Sequence, residues 1–203
     1  MSSAVTLSGH GFNVIFSMAK ASARHDNGQP MMQNSEAVSA ELIQGMKQAM
    51  RRLVASVVVV TAHDGEKRYA MAASAVTSLS MDPPSILLCV NKSASIYPIL
   101  ESGADFCINI LSPSHEPLAV ASSGAQKGEA RFAIGDWRED PDTKTPFLGD
   151  AQAGLICAVD GIHHYGTHGI FIGKVKRVHL HGDVYPLIYV DGRYASVVDS
   201  APA

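Results

Sequence analysis

Two adjacent prolines, Pro83 and Pro84, set the first limit on what this chain can fold into. Neither has an N–H to give to a sheet ladder, so both must lie outside the middle of a strand. The residues on either side, 69–80 and 85–90, read as extended chain, and the prolines therefore turn one strand into the next. Upstream, residues 54–61 are rich in valine and read as a buried strand. His63-Asp64-Gly65 then supplies the turn chemistry for a hairpin. Further strand-like runs cover 104–111, 154–159, 169–180 and 185–190.

Helical spacing is confined to short stretches. Leu42, Met46, Ala49, Met50 and Leu53 recur at three- and four-residue steps behind Ser39, a suitable N-cap. This apolar stripe is expected to lie against the body of the protein. Ser95 is expected to cap a helix over 96–102, with Pro98 in its first turn and Gly103 at its stop. A third helix is predicted over 113–123, and residues 122–145, with the only tryptophan, Trp137, read as a loop. Helices do not alternate regularly with strands, which disfavours a Rossmann sheet. The pattern implies a mainly β fold with appended helices, a β-barrel. Residues 1–38 read as a disordered tail and 39–199 as one domain.

A formal net charge of −3 argues against general nucleic-acid binding and against a polybasic membrane surface. No apolar run reaches the length of a bilayer span. Cys89, Cys107 and Cys157 are odd in number and widely spaced, which gives neither a disulfide framework nor a zinc pattern. Buried thiols in a reducing, cytoplasmic setting are the expectation. His179 and His181 alternate onto one strand face, but two ligands make an incomplete metal site. His163 and His164 point to opposite faces.

No Gly-rich dinucleotide fingerprint, phosphate-binding P-loop, zinc-protease helix or nucleophile elbow occurs. The chemistry concentrates instead in residues 70–95. Met71, Ala72, Ala73, Ser74 and Ala75 have side chains small enough, on the whole, to let a backbone lie close to a flat ligand. Asn91, Lys92, Ser93 and Ser95 precede a helix start and suit a phosphate. Each half also has a plainer reading: close packing for the small residues, a cap for Ser95 and a solvated charge for Lys92.

Taken together, Met71-Ala72-Ala73-Ser74-Ala75-Val76-Thr77-Ser78, Ser80-Met81-Asp82-Pro83-Pro84 and Cys89-Val90-Asn91-Lys92-Ser93-Ala94-Ser95 resemble the flavin reductase-like family. The likeness extends from about residue 46 to 198, through Phe106 to Leu111, Arg131-Phe132, Gly166-Thr167-His168, Pro186 to Tyr189 and Gly192-Arg193-Tyr194. Several members carry Gly-Asp-His where this chain has Gly166-Thr167-His168. The resemblance is strongest to the reductase components of two-component flavin monooxygenases that act on hydroxyphenylacetate.

That resemblance implies an FMN-binding split β-barrel, a homodimer, and oxidation of NADH or NADPH coupled to reduction of FMN or FAD for a partner oxygenase. It also implies a cofactor role for residues 71–75, Cys89, Asn91, Lys92, Ser93, Ser95 and Tyr194, and a catalytic role for His168. A flavoredoxin-like electron carrier or passive flavin-binding protein on the same barrel is the alternative.

Overall fold

The computed structural model describes residues 39–197. The predicted tail, 1–38, lies outside the described residues, as do the last two positions of the predicted domain.

A seven-stranded antiparallel sheet forms the body, in the order β3-β2-β6-β9-β10-β5-β4. These strands are β2 (Val58–His63), β3 (Arg68–Ala73), β4 (Val76–Met81), β5 (Pro84–Asn91), β6 (Phe106–Ile110), β9 (Ala153–Tyr165) and β10 (His168–Leu180). The two edge strands, β3 and β4, are consecutive in sequence and separated only by Ser74 and Ala75. The sheet therefore curls until its edges meet at one chain crossing without hydrogen-bonding to each other. This is the split barrel expected from the sequence.

Its interior is filled by Val58, Val60, Leu88, Val90, Phe106, Ile108 and Phe171, together with Ile96, Tyr97 and Leu100 of the segment around α2 (Tyr97–Glu101). Val57 and Val59 face the other way, into a second core with Leu111, Leu118, Phe132, Leu148 and Leu187. Burial on both faces explains the unbroken valine run before Thr61, which has no polar face to alternate with. The second core is closed by α3 (Glu116–Val120), by the ribbon of β7 (Trp137–Glu139) and β8 (Pro146–Leu148), and by a small sheet. That sheet has the order β1-β11-β12, from β1 (Ala55–Ser56), β11 (Leu187–Val190) and β12 (Arg193–Ser196).

Asn109, fully buried in β6, locks the two layers together. Its amide nitrogen donates to the Val59 carbonyl at 2.9 Å and to the Thr61 hydroxyl at 3.2 Å. Its amide oxygen accepts from Leu148 N at 2.7 Å. A buried amide satisfied on both ends favours one register over its neighbours.

Several expectations require correction. Ser39 does cap α1 (Ala40–Met50), accepting from Leu42 N at 3.1 Å. The described residues leave the apolar stripe of α1 uncovered, however: Leu42 is 64 % and Met46 58 % exposed. Arg51, paired with Asp191 at 2.9 Å, ties the end of this helix to the turn before β12. Ser95 is not the cap of α2; Ile96 holds that position, with no side-chain hydrogen bond. The helix predicted over 113–123 is divided into a 3-10 turn, α3 and a π-type turn that ends beyond Gly124, whose φ of +116° a glycine adopts without strain. The loop 122–145 contains β7, and β12 was not foreseen as a strand.

Gly173 is the tightest point in the barrel. A Cβ there would lie 2.5 Å from Phe106 Cζ and 3.2 Å from both Cys157 Cβ and Ile86 Cδ1. Phe106 is fully buried and has no room to withdraw. Gly173→Ala should therefore destabilise the fold by about 1–3 kcal/mol through overpacking, and lower the thermal midpoint by several degrees. Gly161→Ala, whose nearest neighbour would be Ile172 Cδ1 at 3.4 Å, is the control and should cost clearly less in the same melting experiment.

Candidate functional site

The site is built on the pairing of β10 with β5. His168 stands opposite Asn91, Ile170 opposite Cys89 and Ile172 opposite Leu87. Paired residues of antiparallel strands share a face, and the alternate residues Val90, Leu88 and Phe171 are buried in the barrel. His168, Asn91 and Cys89 therefore lie together on the outer face. The Ala75 carbonyl accepts from Cys89 N at 3.0 Å, which brings the exposed Ala75 to the border of that face.

After Asn91 the chain folds into a tight polar loop. The Asn91 side-chain oxygen accepts from both the amide and the hydroxyl of Ser93 at 2.9 Å, and Ala94 N donates to the Asn91 carbonyl at 2.9 Å. Tyr97 seats the loop from below. Its ring packs edge-to-face on Phe171 with centroids 5.5 Å apart, and its hydroxyl lies 2.9 Å from His164 Nδ1. Gly169 is what allows this approach, because a Cβ there would meet the Tyr97 ring at 2.9 Å.

Lys92 bonds the loop to the β9–β10 hairpin tip twice. Its backbone N–H donates to the Thr167 carbonyl and its ammonium to the Gly166 carbonyl, both at 2.9 Å. Its predicted part as a phosphate ligand is thus accompanied by a structural one. His168 Nδ1 in turn lies 2.9 Å from the Thr167 hydroxyl.

Ser95, free of any capping duty, faces Arg131 of the segment Gly128–Phe132. Arg131 Nη1 lies 3.3 Å from the Ser95 hydroxyl and 2.6 Å from the Ala70 carbonyl, while Nε donates to the Gln126 carbonyl at 3.0 Å. Among the described residues this guanidinium has no carboxylate partner. Its partial burial lowers its pKa, the mark of a cation held away from water without a counter-charge. Arg131-Phe132 carries part of the family likeness, but nothing in the sequence ties Arg131 to Ser95. Its signal is weak in sequence, since 36 residues separate it from Ser95.

β3 presents an open edge here. In an antiparallel strand a residue's N–H and C=O point to the same side, and the Ala70 carbonyl turns outward to Arg131. Alternation points the backbone groups of Ala72 to that same unpaired side, where the residue is only 3 % exposed. Met71 and Ala73 direct their side chains into the barrel core, so they offer backbone only. Tyr194 comes from the small sheet. It lies in the β11–β12 hairpin against the second core, edge-to-face with Tyr189 at 5.5 Å, and burial pushes its phenol well up.

An apolar cavity of about 410 Å³ opens at the opposite end of the barrel, lined by Val58, Met81, Ile86, Ile110, Leu155 and Val178 among others. It includes none of the predicted site residues. The site described above is an open surface, half formed by backbone.

The sequence matches the flavin reductase like domain over residues 50–197, and the chain belongs to that family. It is an oxidoreductase, similar over 155 residues, at 36 % identity, to the reductase component of the FADH(2)-dependent resorcinol hydroxylase of a Rhizobium strain. The match covers 75 % of this chain and 86 % of that one. Identity is also 36 % to the FMN reductase (NADH) RutF of Agrobacterium fabrum, covering 73 % and 84 % of the two chains. The NADH:FAD oxidoreductase SgcE6 of Streptomyces globisporus, solved with NAD and FAD fragments, superposes with a TM-score of 0.74 at 25 % identity. That superposition covers 83 % of this chain and all of the other.

The three thiols differ in accessibility. Burial raises all of them, Cys157 to about 12 and Cys107 well above its usual range, whereas Cys89 is half-buried on the site face. A raised pKa leaves little thiolate at neutral pH. A disulfide reagent should therefore label one cysteine slowly in the native protein and three in denaturant; native labelling of Cys107 or Cys157, read by peptide mass spectrometry, would contradict this burial.

Proposed function

We propose that the protein is an NAD(P)H-dependent flavin reductase that supplies reduced FMN or FAD to a partner oxygenase. The observation that carries the reading is Arg131, a half-buried cation with no carboxylate partner among the described residues, set against Ser95 at the end of the polar loop. Such a group fits a phosphate, whose oxygens accept charge-assisted hydrogen bonds from a guanidinium and from serine hydroxyls. The helix that follows has only five residues, so its dipole adds little and the charge falls to Arg131. The half-buried Ser74 and the exposed Ala75, both small, suit the rim of a flat ring system.

Flavin in this position supplies hydride-accepting chemistry, and the protein needs no nucleophile of its own. The residues around it bind and orient. Ser93, Ser95 and Arg131 hold the phosphate end, the backbone at Ser74 and Ala75 meets the ring edge, and His168 stands across the strand pair toward the nicotinamide side. We read the electron donor as NADH or NADPH and the setting as cytoplasmic.

Purified protein mixed with NADH and excess FMN should consume many equivalents of NADH. Consumption that stops at one equivalent of flavin, with the flavin co-eluting through gel filtration, would favour a flavin-carrying electron-transfer protein instead. Ser95→Asp, which sets a carboxylate against the phosphate, should weaken flavin binding by at least about tenfold, a 1.4 kcal/mol effect. An unchanged dissociation constant, measured by fluorescence quenching, would move the phosphate elsewhere.

The reading includes a homodimer. Met81, 78 % exposed, and the exposed Val178 line the cavity, and Leu79 and Leu180, near them in sequence at the end of β4 and the end of β10, are exposed as well. A second copy is the partner that would cover these side chains. Light scattering should give about twice the 21.5 kDa chain mass, and Met81→Lys combined with Leu180→Lys should give the monomer. A monomeric parent protein would exclude the arrangement.

A further inference from the structure

We propose that Arg68 is a positioning residue for Arg131: it clamps the turn Gly128–Phe132 onto β3 and occupies the Glu129 carboxylate, which leaves the Arg131 guanidinium to an anionic ligand. For the identity of that ligand, the phosphate of a flavin, the inference rests on the functional reading given above. The clamp itself does not depend on it.

Five residues of 3-10 helix are too few to hold their own shape. The position of this turn is set by what it touches, and the contacts come from β3. In 3-10 geometry side chains three residues apart lie one above the other, so Glu129 and Phe132 share a face of the turn. Arg68 meets both. Its Nη2 pairs with Glu129 Oε1 and its Nε lies 3.5 Å from Oε2, a fork on one carboxylate. Its Cζ also lies 4.2 Å from the centre of the Phe132 ring. A guanidinium is always charged and can only donate, while an ionised carboxylate can only accept, so the roles in this contact are fixed. Phe132 is itself held, buried in the second core with Ala70 and edge-to-face with Trp137 at 4.9 Å.

Arg131 crosses the same junction in the opposite direction. Its Nη1 donates at 2.6 Å to the carbonyl of Ala70, two residues along β3 from Arg68. One arginine thus reaches out from the strand and the other reaches back to it. They differ in what they leave over. Arg68 is spent on Glu129 and Phe132, whereas Arg131 is held by two carbonyls and meets the Ser95 hydroxyl. Glu129 is the carboxylate closest to Arg131 in sequence, and Arg68 keeps it engaged. An exposed ion pair is weak by itself, so the clamp acts by raising the fraction of molecules in which Arg131 is in place.

Riboflavin, which lacks the phosphate, is the discriminating probe. Arg68→Met keeps an unbranched stem over Phe132 but removes the charge and the fork. It should raise the FMN dissociation constant about three- to tenfold, as the competent fraction falls by the same factor. Riboflavin affinity should stay within about twofold. In an Arg131→Met background, Arg68→Met should change FMN affinity less than about twofold, because it acts through a side chain already lost. Equal weakening of FMN and riboflavin, or additive losses in the double variant, would make Arg68 merely structural and overturn the proposal. Unchanged FMN affinity overturns it as well.

A second readout needs no flavin. The Arg131 Nε–H donates to the Gln126 carbonyl at 3.0 Å and should give a resolved side-chain signal in 15N spectra, identified by its absence in Arg131→Met. In Arg68→Met this proton should exchange with water several-fold faster. An exchange rate equal to that of the wild type overturns the clamp. A wild-type protein that binds FMN no more tightly than riboflavin would instead take the phosphate away from Arg131 and defeat that part of the functional reading, and the exchange rates would then decide whether Arg68 positions Arg131.

Discussion

The register of β10 is the constraint on which this structure depends. The strand is thirteen residues long and is paired on both sides, with β9 along its whole length and with β5 along its first half. A slip of one residue against β5 would turn Phe171 out to solvent and bring Ile170 and Ile172 into the barrel. It would also move His168 away from Asn91. Gly173 opposes such a slip, because only a residue without a side chain fits between Phe106, Cys157 and Ile86. The barrel core and the functional face are thus specified by the same ladder, and packing far from the site sets the position of His168.

Between them, Lys92 and Asn109 show how polar groups supplement that ladder. Asn109 is buried and joins β2, β6 and β8, so its hydrogen bonds operate in a low dielectric and their loss would leave buried groups unpaired. Lys92 is exposed, and a single bond from its ammonium is worth little in water. Its effect is geometric: together with its own backbone N–H it holds two successive carbonyls of a four-residue tip. The outcome is that the loop proposed to hold a phosphate and the hairpin bearing the imidazole behave as one piece.

Much of the fold was legible because its sequence signals are local. The prolines placed the β4–β5 turn, the valine run placed β2, and Ser39 placed the start of α1. Misreadings arose where long-range packing decided the outcome. Ser95 has the chemistry of a cap, but Arg131 reaches it from a segment remote in sequence, and the helix starts without it. The stripe on α1 has the spacing of a buried face, yet none of the described residues covers it. Residues 113–125 have helical composition, and Gly124 with its positive φ breaks the turn pattern. Within the proposed site, the 71–75 and 91–95 segments stand out by residue type. The parity that points the backbone of Ala72 to the unpaired side while Met71 faces the core follows only from pairing with β2.

The assignment of charge within the site turns on how the two cations are held. Lysine carries a compact ammonium on a flexible stem, and Lys92 spends one of its donors on Gly166. Arginine presents a planar fork, and here two of its nitrogens are anchored by the Ala70 and Gln126 carbonyls. Most of the side-chain entropy of Arg131 has therefore been lost on folding, before any ligand arrives. Its partial burial also removes water that would otherwise compete for an anion. A preorganised and poorly hydrated guanidinium loses less on binding a phosphate than a mobile, fully hydrated lysine does. On that balance Arg131, rather than the lysine that stands out in the sequence, would dominate the proposed phosphate end of the site, and Lys92 holds the hairpin.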